Sequence, residues 1–145
     1  MDLEDKIKAT YLEVPSTSLH DKFEETVEAI NWLQSFVHAG NRTAGWWTDI
    51  NTGKNLQRNP YEMIALMHSE LSEALEGLRK NLMDDKLPHR LMVEVEMADC
   101  FIRMLDFCGG FGYDLAGAVI DKIAYNKTRE DHKISNRLKP NGKKV

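Results

Sequence analysis

Apolar residues return along this chain every three or four positions, and no stretch alternates convincingly as a strand would. Phe23, Val27, Ile30, Leu33 and Val37 carry that period through a first long helix, expected over about Leu19 to Ala39 and ended by Gly40 and Asn41. Asn59-Pro60-Tyr61-Glu62 opens a second helix. The asparagine can cap it, the proline sits where a missing N–H costs nothing, and the glutamate follows three residues past the cap. This helix should run to about Asn81, followed by a turn over Met83 to Pro88 and a third helix over about Arg90 to Cys108, broken by Gly109, Gly110 and Gly112. Asp114 can cap a fourth helix reaching about Lys133. Upstream, Leu3 to Glu13 predicts a marginal helix stopping near Pro15, and Ser16-Thr17-Ser18 a polar linker. Four helices with short connections predict an all-α, four-helix-bundle-like fold. The chain, 1–145, is the size of one domain, with its core over about 20–133.

Two helices depart from a simple amphipathic pattern. In the second, Ile64, Met67, Leu71, Leu75, Leu78 and Leu82 share one face, and Ser69, Glu76 and Lys80 mark a wet side. Glu70 and Glu73 belong to neither, lying on a flank with Met63, Leu66, Ala74 and Gly77. Burying a carboxylate pair is costly, so that placement implies a cation or a proton between them. The third helix is apolar almost all round, which suits a central helix or a subunit interface. Its polar stripe is Glu96, Asp99, Arg103 and Asp106. Such a stripe could simply face water. Yet two Glu-x-x-(Glu/Asp) pairs on consecutive helices joined by a short turn should meet in an antiparallel hairpin, each pair on one face. Four oxygen ligands, Glu70, Glu73, Glu96 and Asp99, select a hard cation, Mg²⁺ or Mn²⁺.

Composition changes this picture little. Hydrophobic residues make up 42% and charged residues 29%, enough for both a core and a polar surface. A net charge of −4 argues against nonspecific nucleic-acid binding, and no run nears the roughly 18 apolar residues of a membrane span. The acidic start lacks a signal-peptide pattern, and Cys100 and Cys108, about 12 Å apart along one helix, are too distant for a disulfide. These features predict reduced core thiols in a cytoplasmic protein. Basic residues crowd the last 24 positions, where Lys139 to Lys144 read as a solvated tail.

Glu70-Leu71-Ser72-Glu73, a gap of 22 residues, then Glu96-Met97-Ala98-Asp99 resembles the hallmark of the MazG-like branch of the all-α nucleoside triphosphate pyrophosphatases. Lys122-Ile123-Ala124-Tyr125-Asn126-Lys127-Thr128-Arg129 looks like the basic element those proteins carry on the next helix. The resemblance covers about residues 20 to 133 and is especially close to short members carried by bacteriophages. It implies hydrolysis of a (deoxy)nucleoside triphosphate between the α- and β-phosphates, with Mg²⁺ held by the four carboxylates. It also implies a dimer or tetramer in the cytoplasm, that of the host if phage-encoded, and neither a nucleic-acid nor a membrane partner.

Lys122, Asn126 and Arg129, at spacings of four and three, share a face of the fourth helix and read as a phosphate clamp or as a solvated basic stripe. Trp46 and Trp47, in the long irregular segment 41–59, either stack on a base or plug the core beneath the loop. Arg103 is expected to pair with Asp99 or Asp106, and His68 to be structural. A carboxylate-bridged di-metal bundle needs Glu-x-x-His pairs, and neither acidic pair ends in histidine. A second reading is a non-catalytic helical interaction module, whose acids are structural and whose apolar third helix is an interface.

Overall fold

The computed structural model describes residues 19–145. Among them are five α-helices and no sheet strand, so the fold is all-α: α1 (Leu19–Thr43), α2 (Pro60–Lys80), α3 (Met92–Phe111), α4 (Leu115–Thr128) and α5 (Ile134–Arg137), with a 3₁₀ turn over Glu130–His132. The expected helix over Leu3 to Glu13 and the Ser16–Ser18 linker lie outside the described residues. The described chain forms two compact units, one of 19–29 with Ala116–Val145, the other of Ile30–Leu115. No helix among the described residues is long and apolar enough to cross a membrane.

The larger unit is built on the α2–α3 hairpin. Asn59 caps α2 as expected, its Oδ1 accepting from the Tyr61 N–H at 2.9 Å and from that of Glu62 at 3.5 Å. The helix closes on Asn81 in the left-handed region (φ 51°), and the Leu82 N–H donates to the Gly77 carbonyl. An antiparallel bridge between Met83 and Leu91 ties the turn, and buried Asp84 accepts through Oδ1 from the N–H groups of Lys86 and Leu87. Glu94 reaches back to the Leu91 N–H, so α3 begins at Met92 rather than Arg90.

Contacts then run in opposite directions along the two helices. Gly77 meets Met92, Glu70 meets Arg103, and Met63 and Leu66 share a cavity with Ile102 and Asp106. The hairpin is therefore antiparallel, as the short turn predicts. Its inward face differs from expectation. Met63, Met67, Glu70, Ala74 and Gly77 are buried on α2, whereas Ile64, Leu71, Leu75 and Leu78 are exposed. Small residues explain the rotation: a Cβ on Gly77 would lie 3.0 Å from the Met92 Cβ, so the helices approach where side chains are least bulky.

Gly109 and Gly110 do not break α3, which continues to Phe111 and ends on Gly112 at φ 72°. Their missing side chains are occupied by neighbours instead. A Cβ on Gly109 would lie 2.7 Å from the His38 Cβ, and one on Gly110 only 2.1 Å from the Trp47 ring. α1 likewise passes through Gly40 and Asn41 to Thr43, with Phe23, Val27, Ile30, Leu33 and Val37 forming its less exposed stripe. The segment after it is ordered: Thr48 and Asn55 form an antiparallel bridge, and Asp49 Oδ1 accepts from the N–H groups of Asn51 and Thr52.

In the smaller unit α4 ends at Thr128, short of Lys133, because Arg129 takes an extended backbone and caps the 3₁₀ turn. The basic tail is not simply solvated. Arg137 donates to the carbonyls of Lys143 and Lys144, and Lys144 Nζ to those of Arg137 and Lys139.

Candidate metal centre

Antiparallel packing sets the Glu-x-x-Glu turn of α2 beside the Glu-x-x-Asp turn of α3. One carboxylate oxygen each from Glu70, Glu96 and Asp99 lies within 4.8 Å of the others. Glu70 and Glu96 are buried, at 6% and 7% exposure, and Asp99 is exposed. The polar stripe of α3 thus faces the partner helix at Glu96 rather than water. Glu73, one turn from Glu70, is exposed and is not among the three converging residues.

Burial pushes the Glu96 carboxyl up to about 7. A hydrogen bond with Glu70 and the negative charges of Glu73, Glu70 and Asp99 add to the shift. Glu73 therefore acts on the centre through its charge. Glu70 is balanced by Arg103, whose Nε donates to Oε1 at 2.6 Å. Arg103 thus pairs across the hairpin, not with Asp99 or Asp106, because the register of α3 against α2 carries it over Glu70.

The donor set fits a hard divalent cation. Three carboxylates converge, two of them out of water, and burial with the charge of its neighbours raises the affinity of Glu96 for a proton. A cation can replace that proton. A cavity of about 430 Å³ reaches the trio at Asp99 and is lined also by Arg103, Trp46, Arg58, Met63 and Asp106.

The tryptophans divide. Trp46 is 64% exposed and lines the cavity. Trp47 is packed: its Nε1 donates to both Asp106 oxygens at 3.0 and 3.2 Å, and its ring meets His38 and Phe111 edge-on. Asp106, only 4% exposed, also bonds His38 Nδ1 at 2.8 Å. No local pattern marks His38; its place is set by Gly109 of α3, where a Cβ would lie 2.7 Å from the His38 Cβ. His68 is exposed.

Lys122, Asn126 and Arg129 lie in the smaller unit. Lys122 Nζ stands 4.8 Å over the Tyr125 ring, and the Asn126 Oδ1 is buried with no hydrogen bond. Arg129 does not continue their helical face. It lies past the end of α4, and its guanidinium grips Asp131 through Nε (3.0 Å) and Nη2 (2.6 Å). Cys100 and Cys108 are free and buried, as their spacing requires.

No protein-family model, curated protein or solved structure matches this chain.

Proposed function

We propose that this chain is a Mg²⁺-dependent nucleoside triphosphate pyrophosphohydrolase, cleaving between the α- and β-phosphates to a nucleoside monophosphate and pyrophosphate. The convergence of Glu70, Glu96 and Asp99 within 4.8 Å, with two of them buried, carries the reading. These three would hold the cation, Mn²⁺ substituting, with Glu73 adding negative charge nearby. When bound, the cation supplies positive charge to the phosphate oxygens and acidifies the attacking water. The chain's own residues do the rest. The trio orients the ion, and Asp99, exposed at the cavity edge, can accept a proton from water. The cavity admits the nucleotide, and Trp46 offers an open ring for its base. The phosphate-clamp reading of Lys122 and Asn126 rests on the family resemblance alone, and Arg129 is engaged by Asp131.

The exposed row of Leu71, Leu75 and Leu78 supports the homo-oligomer, dimer or tetramer, that the family resemblance implies. The interaction-module reading draws on the same row, but it gives the convergent buried acids no task.

Chromatography of the products from a panel of triphosphates tests the reaction. Monophosphate and pyrophosphate are expected only with Mg²⁺ or Mn²⁺. Diphosphate and inorganic phosphate as first products would overturn the α–β assignment.

The tryptophans provide a second test. Stacking on a base contributes about 1–3 kcal/mol. Trp46→Ala should therefore raise KM roughly tenfold and leave the melting temperature unchanged. Trp47→Ala should lower the melting temperature. A KM unaltered in Trp46→Ala removes Trp46 from the substrate site.

A further inference from the structure

Arg103 stands where the carboxylate trio meets the cavity. Its Nε donates to Glu70 Oε1 at 2.6 Å, the Glu70 side chain is 8% exposed, and that of Arg103 is 40% exposed and lines the cavity beside Asp99. The other guanidinium in that lining is committed elsewhere. Arg58 donates through Nη1 to the Trp46 carbonyl at 2.9 Å and lies over the Trp47 ring. Arg103 spends one of its five N–H donors on Glu70, and its two terminal nitrogens make no hydrogen bond among the described residues.

This geometry sets up a competition. A divalent ion held by Glu70, Glu96 and Asp99 needs the carboxylate that Arg103 grips, and two cations crowded on one carboxylate repel each other. A freed guanidinium at the cavity edge needs an anion, and its planar fork matches two phosphate oxygens. We propose that Arg103 is a displaceable counter-ion: it neutralises Glu70 until a divalent cation takes that carboxylate, and its guanidinium then engages the polyphosphate of a nucleotide in the cavity. Cation and polyphosphate therefore bind cooperatively, and the coupling is reciprocal. The proposal rests on the metal reading of the trio and adds to it the residue that links the two ligands.

Calorimetric titration of the full chain with Mn²⁺, alone and in the presence of tripolyphosphate, tests this without turnover. Wild type, Arg103→Gln, Arg103→Lys and Asp99→Asn are compared, with circular dichroism reporting that each is folded. Affinities are referred to free Mn²⁺, corrected for its chelation by tripolyphosphate in solution. Without phosphate, Arg103→Gln should bind Mn²⁺ more tightly than wild type, by about fivefold or more. Tripolyphosphate should then tighten Mn²⁺ binding in wild type but much less in Arg103→Gln, with Arg103→Lys between the two in both measurements. Equal or weaker Mn²⁺ binding by Arg103→Gln, or the same tightening by phosphate, overturns the coupling and leaves the metal reading standing. Absence of a Mn²⁺ site weakened by Asp99→Asn overturns both.

Discussion

Glu96→Gln is expected to lose more than about 100-fold in triphosphate hydrolysis, beyond the 10–100-fold typical of groups that merely orient a metal's ligands. In chelator at pH 8 the same variant should be more stable than the unmodified protein. Glu96 is 7% exposed, and its carboxyl is pushed up to about 7 by burial, by its hydrogen bond with Glu70 and by the surrounding charge. Above that pH the folded state must hold a buried negative charge beside Glu70, with Asp99 and Glu73 close by. Glutamine keeps the shape and removes the charge. Saturating Mg²⁺ should invert the order, because a ligand at about 100 times its Kd adds roughly 2.7 kcal/mol to the folded state, and the variant has lost a ligand. Glu76→Gln is the control, since Glu76 pairs with Lys80 at 2.5 Å away from the trio. Lower stability of Glu96→Gln than wild type in chelator at pH 8 would sink the idea of a charge-strained centre.

The same carboxyl sets a pH dependence whose sign is fixed by linkage. A group whose pKa rises from 4.5 unfolded to about 7 folded binds its proton more tightly in the native state. Its contribution to stability is complete below 4.5 and is lost as pH rises through about 7. Metal-free protein should therefore weaken across that window. Glu96→Gln should flatten the slope. Denaturant melts at pH 5, 6, 7 and 8, with chelator and with Mg²⁺, make the comparison.

Asp106→Ala should destabilise the larger unit by about 3 kcal/mol. A hydrogen bond to a charged group contributes roughly 1.5–3 kcal/mol, and the loss leaves buried donors unsatisfied. Asp106 is 4% exposed and bonds both Trp47 Nε1 and His38 Nδ1, fastening the segment after α1, and α1 itself, to α3. Amide exchange over residues 44–58 should quicken in the variant more than exchange within α2. Asp106→Asn, which still offers an acceptor, should fall between. Unchanged exchange in that segment would mean that the Trp47 ring contacts, not Asp106, hold it.

Much of this protein can be read from short stretches of chain. The helical period, the Asn59-Pro60 start of α2, the turn before α3 and the spacing within each acidic pair, Glu70 with Glu73 and Glu96 with Asp99, all depend on residues within one or two turns of each other. Caps, proline and the period of 3.6 act at that range. The convergence of three acids follows once the hairpin closes.

What escaped depends on partners far along the chain. The leucines of α2 outweigh Met63, Met67, Ala74 and Gly77 in hydrophobicity, yet the hairpin closes on the latter, because Gly77 admits Met92 to 3.0 Å from where its own Cβ would stand. Propensity makes Gly109 and Gly110 helix breakers at about 1 kcal/mol each. The space they leave is filled by His38 and Trp47, from α1 and the segment after it, and that packing outweighs the propensity. Arg103 has acidic neighbours one turn away on its own helix, but it bonds Glu70, 33 residues distant, because only the register between two packed helices sets which charges meet. Local chemistry thus determined where the helices and the acids are. Close packing decided which faces turn inward, and with them which carboxylates are buried, which tryptophan remains open and which arginine meets Glu70.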